Sequence, residues 1–192
     1  MATKKTDEQK LSSLSRKSII VSQTLFIIFL IISILPWFIP NTSLGGSLLG
    51  IFGVQNFSTR DFGEIAKNFT ILNRILGIGG SLVSLLPLLI GTLILIKLSK
   101  NYIAGKVFTI QNAKLYQTLG IIYLCDAFLI KPLSDMLISL CITLNNPIGQ
   151  RMIMISFGID NLTAIFLAVV LIVIGQIMKL GHKIKEEQEH FI

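Results

Sequence analysis

The chain alternates long runs without a charged residue and short stretches dense in them, and this alternation predicts where it crosses a membrane. From Ser18 to Thr59 no residue carries a formal charge, and the first half, IIVSQTLFIIFLIISILPWFI, reaches the roughly 20 apolar residues that about 30 Å of hydrocarbon requires. A basic stretch ahead of an apolar one can also mark a cleaved signal peptide. Here the apolar part is longer than such a segment needs and no A-x-A-like site follows, so a retained anchor is expected. A second uncharged run, ILGIGGSLVSLLPLLIGTLILI, fills the interval from Arg74 to Lys97, and its Gly residues and Pro87 are tolerated in membrane helices. The third stretch is apolar except for LCDAFLIKPLSDML at its centre, and the fourth, after Asp160, reads NLTAIFLAVVLIVIGQIM. The pattern predicts an all-α integral membrane protein, a four-helix bundle within one transmembrane domain of residues 1–192. Its expected spans are about 18–39, 75–97, 115–141 and 159–179, with an outer loop 40–74, an inner loop 98–114 and a tail 180–192.

Composition agrees with this reading and sets the orientation. Of 192 residues, 52% are hydrophobic and 14% charged, where soluble domains carry roughly a quarter charged residues. An arrangement with both termini inside places twelve cations in the cytoplasm: Lys4, Lys5, Lys10, Arg16, Lys17, Lys97, Lys100, Lys106, Lys114, Lys179, Lys183 and Lys185. Arg60, Lys67, Arg74 and Arg151 fall outside and Lys131 falls within a span, so the Lys and Arg bias predicts N-in and C-in. Topology thus accounts for the net charge of +7 without nucleic acid, and the basic ends would attract anionic lipid headgroups. Cys125 and Cys141 lie more than four turns apart on one expected helix, too far to bridge each other. With only His182 and His190 beside them, they assemble no zinc-type cluster. The sequence has no H-E-x-x-H, G-x-S-x-G or P-loop, and Gly77, Gly79 and Gly80 do not complete G-x-G-x-x-G. Neither an enzyme nor a bound cofactor is expected, and those glycines are read as sites of close helix packing.

In the outer loop, STRDFGEIAKNFTILNRI places Phe62, Ile65, Ala66, Phe69, Leu72 and Ile75 at helical spacing. This predicts a short amphipathic helix beginning near Ser58 and Asp61, lying on the membrane surface or capping the bundle. Asn41, Asn56 and Asn68 each sit in an N-x-[ST] pattern. In the inner loop Gly105 can end one helix and Thr109 can cap the next, so the third helix is expected to start in the cytoplasm. The ending KLGHKIKEEQEHFI passes from cations to acids and closes on Phe191 and Ile192, which suits either a solvated helix end or a docking tail.

The inner-loop stretch GKVFTIQNAKLYQTLG and the ending QIMKLGHKIKEEQEHFI together resemble DUF2975, a prokaryotic family of multi-spanning membrane proteins of unknown function. Gly105, Phe108, Thr109 and Asn112 match its G-x-x-F-T-x-x-N segment. Glu186, Glu187 and Gln188 match its L-x-E-E-Q-D-type ending, where Glu189 replaces Asp and His190 and Phe191 depart from the small or β-branched residues of the pattern. The resemblance implies a bacterial or archaeal cytoplasmic membrane, in which the sequons would be silent, and a small helix-turn-helix regulator as partner. Phe108, Thr109, Asn112, Glu186, Glu187 and Gln188 are then candidate docking residues.

Ionisable groups within a span cost several kcal/mol unless paired or hydrated, which makes Asp126, Lys131, Asp135 and Asp160 a candidate intramembrane polar site. Lys131 and Asp135 are i, i+4 neighbours, whereas in a regular helix Asp126 falls about 140° from Lys131 and needs another partner. Pro132 frees the carbonyl near Phe128 and should kink the helix. These features suit a hydrated pocket that a small transporter or channel-like subunit could use, as a homo-oligomer where four helices are too few. They equally suit charges acting as interhelical fasteners. Inverted repeats are not apparent, which favours the second use. Together with what the resemblance implies, this makes the expected role of the whole protein a membrane-embedded accessory or sensor that binds a cytoplasmic regulatory partner through its inner loop and tail.

Overall fold

The computed structural model describes residues 2–39, 42–50 and 66–190. All regular structure among them is helical, with no strand. Helix α1 (Ala2–Ile34) ends in a 3-10 turn, Leu35–Trp37, where Pro36 removes a backbone donor. A short helix α2 (Ser43–Gly50) follows, its first turn closed by Gly45 N donating to Thr42 Oγ1 at 3.0 Å. Helices α3 (Ile71–Ile103), α4 (Ile110–Cys125), α5 (Lys131–Thr143) and α6 (Ile159–His190) complete the chain, with a π-turn, Asp126–Ile130, between α4 and α5.

Among the described residues, three helices are long and apolar enough to cross a membrane: Ser12–Trp37, Ile71–Ile103 and Ile159–Gln188. The stretch expected as the third span is helical from Ile110 to Thr143, but the π-turn divides it into α-helical pieces of 16 and 13 residues. The second span also starts earlier than its uncharged run. Thr70 N donates to Asn73 Oδ1 at 3.1 Å, a reciprocal cap that starts α3 at Ile71. Leu72 and Ile75 are therefore exposed residues of α3 and not part of a separate amphipathic helix. Of that expected helix, Ala66 is helical and a turn follows it, Phe69 N donating to the Ala66 carbonyl at 3.2 Å. Its remainder, 58–65, lies outside the described residues, as do Asn41 and Asn56.

Large apolar side chains point outward. On α6, Leu162, Phe166, Val169, Val173, Ile177 and Leu180 are exposed, while Asn161, Ala164 and Ala168 are buried. An apolar exterior around a small and polar interior is stable where the surrounding solvent is lipid tails.

The chain divides into two compact units: Met1–Phe26, Pro87–Cys125 and Leu162–Ile192 form the first, and Ile27–Leu86 with Asp126–Asn161 the second. In the first, Ile94, Leu98 and Leu119 are buried among Ile90, Leu115 and Leu171. Here α4 and α6 approach until backbone meets side chain. A Cβ on Gly120 would lie 2.5 Å from Ile172 Cγ1 and 2.9 Å from the Ala168 carbonyl oxygen, and one on Gly175 would lie 2.7 Å from Gln117 Cγ. In the second unit Trp37 is wholly buried. Its ring lies where a Gly77 Cβ would sit, and its Nε1 donates to Ser81 Oγ at 2.9 Å. Gly80 likewise admits Ile138, so Gly77 and Gly80 serve close packing, whereas a Cβ on Gly79 would meet nothing.

Candidate functional site

The expected polar cluster lies in the second unit, around the break in the helical run. Lys131 Nζ sits 3.8 Å from Asp135 Oδ1, and Asp135 Oδ2 accepts from the Ser156 backbone N at 3.1 Å and from the Ser156 hydroxyl. Asp126 opens the π-turn. Because π hydrogen bonds join residues five apart, the turn brings position 126 nearer to the face of Lys131 than the roughly 140° separation of a regular helix. Asp160 stands exposed in the first turn of α6, and its neighbour Asn161 is the residue that faces inward.

Asn161 explains how the break is tolerated. In π register the Ala127 carbonyl would pair with residue 132, a proline without an N–H. Asn161 Nδ2 donates to that carbonyl instead at 2.7 Å, while its Oδ1 accepts from Gly158 N at 3.0 Å. The carbonyl served by a side chain is thus that of Ala127, one residue before the position expected for a plain proline kink. Asn73 repeats the device: Oδ1 caps Thr70 and Nδ2 donates to the Cys141 carbonyl at 2.6 Å. Both side chains are at most 2% exposed. Sequence reasoning passed over Asn73 and Asn161, although T-x-x-N at Thr70 and G-x-x-N at Gly158 share the spacing of T-x-x-N at Thr109.

A further polar stripe lies on α5. Met152 N donates to Thr143 Oγ1 at 3.2 Å, Met154 N to Ser139 Oγ at 3.0 Å and Ser156 N to Asp135. Four helical residues rise about 6 Å and two extended residues span about 6.6 Å. Side chains at 135, 139 and 143 therefore match alternate amides at 156, 154 and 152, and an extended segment is fastened antiparallel along the helix. The charged residue Asp135 is one rung of this ladder.

The candidate docking residues belong to the first unit. Gly105 adopts φ +71°, the left-handed conformation glycine favours, and its N donates to the Tyr102 carbonyl. Asn112 is wholly buried: Nδ2 donates to the carbonyls of Lys106 at 2.7 Å and Val107 at 2.8 Å, and Oδ1 accepts from Asn101 Nδ2 at 2.6 Å. Thr109 Oγ1 accepts from Asn112 N at 3.2 Å. Gly105, Thr109 and Asn112 therefore shape the loop. Phe108 remains half exposed and packs on Gly181, where a Cβ would lie 2.9 Å from its ring. Glu186, Glu187 and Gln188 are exposed on α6, with His182 Nε2 3.4 Å from Glu186 Oε1.

The family model described as "Protein of unknown function (DUF2975)" matches residues 64–192. The chain belongs to the DUF2975 family. The match covers α3 to α6 and every candidate site residue. Comparison with curated proteins and with solved structures finds no match. Among the described residues, no three His, Cys, Asp or Glu side chains are grouped to hold a metal, and Cys125 and Cys141 are free thiols.

Proposed function

We propose that this DUF2975 protein is a membrane-embedded accessory or sensor that holds a cytoplasmic regulatory partner, of the small helix-turn-helix class, on its inner loop and C-terminal helix. In this reading it crosses the membrane four times with both termini inside, and the helical run from Ile110 to Thr143 is the third crossing. The observation that carries the proposal is the contact between Phe108 and Gly181, because it joins the two stretches that bear the family pattern. The length of α6 supports it too. Its 32 residues rise about 48 Å, against about 30 Å of hydrocarbon, so its last turns extend beyond the lipid as a preformed charged helix. Phe108, Glu186, Glu187 and Gln188 would offer the contact surface, with Thr109 and Asn112 acting indirectly by holding the loop. The transporter alternative has less support, since Lys131 pairs with Asp135 and Asp135 also accepts from Ser156.

The test is affinity purification from native membranes of the N-terminally tagged full chain beside a chain truncated after Leu180. A small DNA-binding protein that accompanies the full chain and disappears with the truncation is the expected result. A protein that emerges alone in both cases would end the docking reading.

A further inference from the structure

The second unit carries an apolar cleft of about 360 Å³ lined by Phe38, Phe69, Ile71, Arg74, Ile75 and Ile78. Five of these six residues are hydrophobic, and the sixth is a half-buried arginine. Among the described residues no carboxylate pairs with Arg74, and its guanidinium makes no hydrogen bond; only its backbone is engaged, N donating to the Thr70 carbonyl at the start of α3. Phe38 also lines a second cleft of about 320 Å³, in which Ile31 and Leu35 form part of the wall. Ile31 precedes Phe38 by seven residues, so this second cleft runs on the order of 10 Å along α1 and its terminal turn.

A guanidinium beside an apolar trough is a mismatched lining for either a purely apolar or a purely polar ligand. It fits a molecule with an anionic head and a hydrocarbon tail, since arginine presents a fork of donors that matches phosphate oxygens. We infer that the cleft is a binding site for an anionic phospholipid, its phosphate on Arg74 and an acyl chain lying past Phe38 toward Ile31.

The molecule contains its own reporter. Trp37 is the one tryptophan in the chain; it adjoins Phe38 and stacks on Phe69 with ring centroids 6.3 Å apart. Lipids brominated on the acyl chain quench a tryptophan they approach, so occupancy can be read from the full-length protein in phosphatidylcholine vesicles. Brominated phosphatidylglycerol is expected to half-quench Trp37 at about fivefold lower mole fraction than brominated phosphatidylcholine, the preference one basic residue supports at an anionic surface. Arg74→Gln should bring the two lipids level while leaving the unquenched emission unchanged, and Arg74→Lys should keep much of the preference. Equal half-points for both lipids in the natural chain, or a preference that survives Arg74→Gln, would overturn the site. Relief of quenching by millimolar inorganic phosphate would mean that free phosphate is recognised, which overturns the lipid assignment.

Discussion

In the unit built from Met1–Phe26, Pro87–Cys125 and Leu162–Ile192, helices meet through residues that lack bulk. In the unit built from Ile27–Leu86 and Asp126–Asn161, Gly77 and Gly80 allow the same close approach, and side chains in addition donate hydrogen bonds to a neighbour's backbone. Gly120 and Gly175 represent the first mode; Asn73, Ser134 and Asn161, which donate to the carbonyls of Cys141, Gly80 and Ala127, represent the second. Lipid tails are as apolar as leucine, so burying large apolar side chains does little to bring helices together. Close backbone approach and hydrogen bonding remain. Where hydrogen bonding is added follows the irregularity of the backbone. The second unit holds the 3-10 turn, the π-turn, the extended segment and the starts of α2, α3 and α6, each of which leaves backbone groups that must be satisfied. The first unit has long regular helices and one irregular stretch, the loop before α4, and there too an asparagine, Asn112, supplies the missing bonds.

This contrast can be broken from either side. The largest effect is expected at the anchor of the second unit: Trp37→Ala should cost about 3 to 5 kcal/mol, read as a fall in the unfolding midpoint in detergent. Gly120→Leu attacks the first unit by overpacking and should cost about 1 to 3 kcal/mol in the same assay. Gly79→Leu is its control and should be close to neutral, because a side chain there meets open space. Asn161→Leu should cost about 1 to 2 kcal/mol by orphaning the Ala127 carbonyl. The sharper test is the pair: Pro132→Ala returns an N–H to that turn, so Asn161→Leu should cost less in the Pro132→Ala background. Equal costs in both backgrounds would show that Asn161 does not compensate for the proline. The smallest effect belongs to Lys131→Met, about 0.5 kcal/mol, since Asp135 keeps its bonds from Ser156.

Much of this was legible in the chain. Uncharged runs of about 20 residues marked the three helices that, among the described residues, are long and apolar enough to cross a membrane; the i, i+4 spacing brought Lys131 to Asp135, and Gly77 and Gly80 are packing sites. The residues passed over are the neutral polar ones. Asn73, Asn161, Ser139 and Thr143 carry no charge to stand out in a hydropathy pattern, and their partners are backbone groups, which every residue possesses and no sequence distinguishes. Charge drew attention to Asp160, yet the neighbouring amide faces inward, because the third position after a helix cap can reach both its own cap and the next helix.

The sequence by itself determined that the chain is helical and apolar enough for a membrane, because hydrophobic length and charge clustering are properties of consecutive residues. Pro132 by itself also ensured that a carbonyl would be left without an amide. Which carbonyl that was, and that Asn161 would answer it, only the tertiary structure decided. A π-turn shifts register by one residue, and a hydrogen bond across 34 positions depends on where two helices come to rest.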